Sequence, residues 1–152
     1  MNYVFDTNIF VLLVKNEKFG KFIEQMYQNN SSENLYYSYI TLGELDSIIK
    51  QTNWGAKKIK ELNTILKGFQ LLDAVSMELI RNYGTIDAYS QGKLKNKPLP
   101  TGMSARNMGK NDLWIAATAL SIQATLISTD KDFNHLHPSF IQVHYVNVKD
   151  FQ

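Results

Sequence analysis

Apolar residues recur along the chain with two alternating periods. Tyr3 to Phe5 is a short apolar run, and directly after Asp6-Thr7-Asn8 the apolar positions Ile9, Leu12 and Leu13 fall at helical spacing. This predicts a strand followed by a helix. Phe19, Phe22, Ile23, Met26 and Tyr27 keep the same spacing and predict a second helix over 19–27, ended by Asn29-Asn30-Ser31-Ser32. Leu35 to Ile40 is rich in aromatic and β-branched residues, as a strand should be, and runs into a helical segment carrying Leu45, Ile48 and Ile49. A helix is expected over 56–67, a strand over 69–75, and a helix over 76–91 that buries Met77, Ile80 and Tyr83 or their neighbours. Asp112 to Gln123 reads as a strongly apolar helix, Ala124 to Ser128 as a buried strand, and Ile141 to Val146 as a last strand. Strands alternating with helices imply a parallel sheet covered on both faces.

The segment Gly92 to Gly109 interrupts the alternation and holds Pro98, Pro100 and Gly102. It is too long for a plain connection, so it is expected to be functional or mobile. It also changes the picture of charge. Lys93, Lys95, Lys97, Arg106 and Lys110 lie within 93–110, a stretch without a single acid, although 16 Lys plus Arg against 14 Asp plus Glu leave the whole chain at only +2. The net balance does not mark a polyanion partner; the local run is either a solvated loop or a contact for one. A length of 152 residues with 44% hydrophobic and 20% charged content fits one soluble domain, 1–152, without repeat or linker. No apolar run approaches the ~18 residues a membrane span needs. The N-terminal apolar stretch has no basic region before it and is interrupted by Asp6, so it reads as folded structure rather than a signal. The lack of cysteine excludes disulfides, thiolate metal sites and cysteine nucleophiles, and fits the cytoplasmic location expected here.

In an open parallel sheet, ligands gather beyond the carboxyl ends of the strands, where loops and helix N-termini converge. Asp6 ends the first strand, Glu44 lies just past the second, Asp112 opens the helix leading into the fourth, and Asp130 follows that fourth strand. All four should project to one edge. Carboxylates gathered in this way repel one another unless a cation neutralises them. Oxygen donors without His or Cys suit Mg²⁺ or Mn²⁺, and such an ion would polarise a phosphoryl oxygen and generate hydroxide for hydrolysis of a phosphodiester. Each acid also has a local explanation. Asp6, Thr7 or Asn8 could cap the helix that follows, Thr41-Leu42-Gly43-Glu44 matches a capping box, Asn111 or Asp112 could cap a helix, and Asp130 with Asp132 could organise a turn. Caps alone, however, do not require acids at one edge after three strands and a helix start.

Four motifs occur in order: Asp6-Thr7-Asn8, Thr41-x-x-Glu44-Leu45, Asn111-Asp112-Leu-Trp-Ile-Ala-Ala117, and Leu126-Ile-Ser-Thr-Asp130-Lys-Asp132-Phe133. Together they resemble the PIN domain family, and most closely its VapC-like toxins, through essentially the whole chain. The resemblance implies a three-layer α/β/α sandwich with a mainly parallel sheet of about five strands, and a Mg²⁺- or Mn²⁺-dependent endoribonuclease. It implies acidic ligands at Asp6, Glu44, Asp112 and Asp130, with Asp132 as a further candidate. Asn8 and Ser128 match the family's polar helpers, which orient carboxylates by hydrogen bonds; turn and cap bonding is their other reading. The resemblance also implies an RNA substrate, a homodimer and neutralisation by a cognate VapB-like antitoxin. The stretch 95–109 is longer than the connection typical of these toxins. Within and after it, Arg106 and Lys110 are candidates for holding an RNA backbone by charge, with a solvated loop as the alternative. Trp54 and Trp114 are read as core or interface aromatics, and His135, His137 and His144 as unrelated to metal, because no third partner lies near. Two other functions compete. A non-catalytic PIN module should have lost at least one of the acids, and the aspartyl-phosphate chemistry of haloacid dehalogenases needs Asp where Asn8 stands.

Overall fold

The computed structural model describes residues 1–152. Strands β1 (Asn2–Phe5), β2 (Asn34–Ser38), β3 (Gln70–Leu72), β4 (Thr125–Ser128) and β5 (Val143–Tyr145) form one parallel sheet in the order β3-β2-β1-β4-β5. β1 is therefore central. Tyr3 pairs with Leu35 on one side and with Thr125 on the other. Alternation along the strands sends Val4 and Leu126 into one core and Phe5 and Ile127 into the other. Helices α5 (Met77–Ser90) and α6 (Lys110–Ser121) pack on the first face, while α1 (Thr7–Lys15), α2 (Glu17–Ile23) and α4 (Ala56–Leu66) cover the second. Helix α3 (Tyr39–Gln51) contacts both α1 and α6, at the edge that carries the acids. The three-layer α/β/α arrangement expected from the sequence is the one observed. No helix is long and apolar enough to cross a membrane.

Several boundaries move, each for a local reason. β2 ends at Ser38 rather than Ile40, because Ser38 Oγ accepts the Thr41 N–H at 3.2 Å and caps α3. Thr41-x-x-Glu44 is therefore not a capping box, and Glu44 is free for other work. α6 starts at Lys110 behind Gly109, so neither Asn111 nor Asp112 caps it. In α5 the inward stripe is Leu79, Ile86 and Tyr89; Met77 and Ile80 remain 61% and 43% exposed. Tyr83 is partly buried, its ring centroid 4.3 Å from that of Trp114. The helix expected over 19–27 becomes α2 followed by a π-turn over Glu24–Gln28, which leaves Met26 exposed. The third strand is cut to 70–72 at the sheet edge.

The segment 92–109 is fastened rather than loose. The Lys93 and Arg106 N–H groups donate to the carbonyls of Ala88 and Ser90 at 2.8 and 2.7 Å. Lys97 Nζ donates to the Ser139 carbonyl at 2.7 Å and lies 4.4 Å from the centroid of the Phe140 ring. Met108 is buried in the core under α5 and α6, with Leu94 and Leu99 packed against it.

Candidate active site

Asp6 follows β1, and its N–H extends the ladder by donating to Ile127 O at 3.0 Å. That register brings its side chain beside the end of β4. Ser128 Oγ donates to Asp6 Oδ2 at 2.8 Å, while Oδ1 accepts the Thr7 N–H at 2.7 Å as the α1 cap. The carboxylate is thus both a cap and a fixed, 5% exposed acid. Ser128 Oγ also accepts the Asp130 N–H at 2.9 Å, so one hydroxyl links two acids. Asp130 Oδ1 in turn accepts the Asp132 N–H at 2.8 Å and opens a 3-10 turn over Lys131–Leu136. Asp132 is exposed on that turn.

Glu44 projects from the second turn of α3 and is held from two sides. Thr7 Oγ1 donates to Oε1 at 2.7 Å, and Asn111 Nδ2 donates to Oε2 at 3.1 Å. Asp112 stands over Gly109, where a Cβ would lie 3.2 Å from its Oδ2; the glycine makes room for the carboxylate.

The electrostatics show these acids acting on one another. Burial pushes the Asp6 carboxyl up to about 6 against the pull of its Ser128 and Thr7 bonds, and Glu44 and Asp130 add repulsion. Burial also pushes Asp112 up, to about 7, with repulsion from Asp6, Asp130, Glu44 and Asp132. The structure therefore gathers all five sequence-predicted acids around one site. It does not close them into a ready-made cage, since no three His, Cys, Asp or Glu side chains stand close enough to hold an ion as they are.

The other predicted residues divide. Ser128 does support Asp6. Asn8 is exposed and makes no side-chain hydrogen bond, whereas its neighbour Thr7 holds Glu44. Arg106 is partly buried, its Nε without a partner, whereas Lys110 is exposed at the first position of α6. Sequence reasoning missed Thr7 and Asn111 as supports of Glu44, because both act on a residue more than thirty positions away and leave no local signal. The three histidines do separate structural jobs. His144 bonds Tyr27, His137 Nδ1 accepts the Val143 N–H at 3.1 Å, and buried His135 pairs through Nε2 with Ser90 Oγ at 2.7 Å. That last pair braces the acid-bearing turn against the end of α5 and the root of the 92–109 segment. A cavity of about 1020 Å³ opens between α2 and α4, and none of the five acids lines it.

The sequence model described as the PIN domain matches residues 3–137. The chain belongs to the PIN domain family. This PIN domain is 35% identical over 138 residues to a protein named Ribonuclease VapC1 of Haemophilus influenzae strain R2866, which covers 90% of this chain and 92% of the relative. Its fold is also similar to VapBC-1 from nontypeable Haemophilus influenzae, with 27% identity, coverage of 95% and 98%, and a TM-score of 0.66. VapBC2 from Rickettsia felis, solved bound to a DNA fragment from its promoter, shares the fold at 21% identity, with coverage of 95% and 98% and a TM-score of 0.73. The resemblance to the family and to its VapC-like members holds across nearly the whole chain.

Proposed function

We propose that this PIN domain is a Mg²⁺- or Mn²⁺-dependent endoribonuclease, the toxin of a VapBC-like pair. The observation that carries the reading is the placement of Asp6 and Asp112, both raised by burial and by neighbouring acids, beside Glu44 and Asp130 at the carboxyl edge of a parallel sheet, a concentration of carboxylates that a cation would relieve. The relative named Ribonuclease VapC1 supports RNA as the substrate, and the VapBC structures support a VapB-like antitoxin as partner. A homodimer and a cytoplasmic location belong to the same proposal. All four core acids are present, which disfavours a non-catalytic module.

The donor set fits the metal. Only carboxylate oxygens are on offer, and Mg²⁺ keeps several waters while using one or two carboxylates, so a site without a closed cage suits it. Asp6 and Asp112 would hold the ion, with Glu44, Asp130 and Asp132 around it. When bound, the ion polarises a phosphoryl oxygen and acidifies an attacking water. Ser128 and the Thr7 N–H keep Asp6 in place, while Thr7 Oγ1 and Asn111 keep Glu44 in place. Without an ion, the Asp112 carboxyl is raised to about 7 and is only partly ionised at neutral pH, so loading the site and losing that proton are coupled. Arg106, whose Nε lacks a partner, and Lys110 would hold the phosphate backbone by charge.

The test incubates purified protein with total cellular RNA, with Mg²⁺ or with chelator, and maps new ends. Cleavage should need the metal and should vanish in Asp112→Asn. Equal cleavage by both proteins would trace the activity to a contaminant and refute the assignment.

A further inference from the structure

An open cavity of about 480 Å³ lies against the acidic centre, between α3 and the start of α6. Tyr39, Gly43, Glu44, Ser47, Gln51 and Asn111 are among its lining residues. The hydrogen-bonded pair of Glu44 and Asn111 forms part of its wall, so the cavity opens off the reaction centre itself. The rest follows one face of α3 at intervals of three and four residues. Gly43 keeps that face open: a Cβ there would meet nothing within 4 Å, so the fold does not require the glycine.

The lining indicates what enters. It contains no Lys or Arg, and its one charge is the Glu44 carboxylate, so a phosphate group is disfavoured. Partly buried Ile40 and Ile48 supply apolar surface, and Tyr39 supplies an aromatic ring. Gln51 Nε2 donates to Ser47 Oγ at 2.7 Å, which leaves Gln51 Oε1 and the Ser47 hydroxyl proton unused. Asn111 spends its Nδ2 on Glu44, which leaves its Oδ1 as an acceptor. An apolar and aromatic wall with a few free donors and acceptors is the complement of an unpaired, neutral nucleobase, which stacks by its face and bonds by its edge.

We infer that this cavity is a base-binding subsite that takes one unpaired nucleobase adjoining the scissile phosphate, and that it selects the RNA sequence cut. The inference rests on the ribonuclease reading above. It is tested with Gly43→Leu, which fills the cavity, and Gln51→Ala, which removes an edge contact. Each is compared with the wild type on a randomised RNA oligonucleotide pool with Mn²⁺, reading the base frequencies around every cut, while melting temperature and oligomeric state are followed in parallel. Gly43→Leu should melt no lower than the wild type, because leucine favours a helix more than glycine does. The wild type should show a base preference at one position beside the cut. Both variants should flatten it, with kcat/KM on the preferred sequence falling about tenfold or more, the scale of one base contact, and changing little on disfavoured sequences. An unchanged preference in active variants would overturn the subsite and leave the nuclease reading intact. A uniform loss on all sequences, or a change of oligomeric state with the preference intact, would likewise overturn it. If wild-type protein cleaves no RNA at all, the nuclease reading fails and the subsite falls with it.

Discussion

Replacing Asp6 with Asn should make the metal-free protein more stable while abolishing its chemistry. Asp6 is 5% exposed, and its carboxyl is raised from 3.8 to about 6, burial being the first cause. A tenfold change in proton affinity is worth about 1.4 kcal/mol, so the ionised form costs the fold about 3 kcal/mol. The sign follows from proton counting. Because the folded-state value lies above the unfolded one, the native chain binds more protons between pH 3.8 and about 6. Stability therefore falls as pH rises through that window, and the full cost is carried above it. Asn keeps the cap on the Thr7 N–H through Oδ1, but its Nδ2 can only donate to Ser128 Oγ, so the Ser128 hydroxyl proton loses its acceptor at a cost of about 1 kcal/mol. The net gain at pH 8 in chelator should be about 1–3 kcal/mol, or a melting temperature roughly 3–10 °C higher for a chain of this size. At pH 4 the advantage should vanish, and saturating Mn²⁺ should raise the melting temperature of the wild type alone. Urea and thermal melts of both proteins at the two pH values measure this. An Asp6→Asn protein no more stable at pH 8 than at pH 4, relative to wild type, would refute the argument that burial of the ionised carboxylate costs the fold stability.

Three further outcomes are expected. With metal kept limiting, cleavage should climb between about pH 6 and 7 as Asp6 and Asp112 lose their protons; a profile flat across that range would count against their role. Thr7→Val removes the 2.7 Å bond to Glu44 but keeps the backbone bond to Asp6, so metal-dependent activity should fall about 10–100-fold while urea stability changes little. Ser90→Ala strands the buried Nε2 of His135, and urea unfolding should show a loss of about 1–3 kcal/mol; no loss would mean that the brace carries no load.

The strand-helix alternation, and with it the edge to which Asp6, Glu44, Asp112 and Asp130 project, was legible because hydrophobic period is a local property of the sequence. The supports of these acids were not. Ser128 bonds Asp6 across 122 positions, and Asn111 reaches Glu44 across 67; neither distance is written in any window of the chain. The capping-box reading of Thr41 and Glu44 failed because Ser38, at the very end of an aromatic strand, took the cap first. Asn8 looked like the polar helper of its motif, yet the first turn of α1 buries Thr7 and leaves Asn8 exposed. The phase of α5 stayed open between Met77, Ile80 and Tyr83 and their neighbours because Met77 and Ile80 match the helical period as well as Leu79 and Ile86 do, and only the packing against α6 chooses between the two stripes.

β1 is the first strand made and the middle strand of the sheet, and half of its pairing comes from β4. During synthesis, Asp6, Glu44 and Asp112 are translated well before the strand that gives Asp6 its Ser128 partner and leads into Asp130. A nascent chain up to about α6 has a β1 with one open flank and no assembled cluster of acids. Chain order thus makes the acidic centre one of the last parts of the fold that can be completed, because Asp6 gains its Ser128 partner only when β4 pairs with β1.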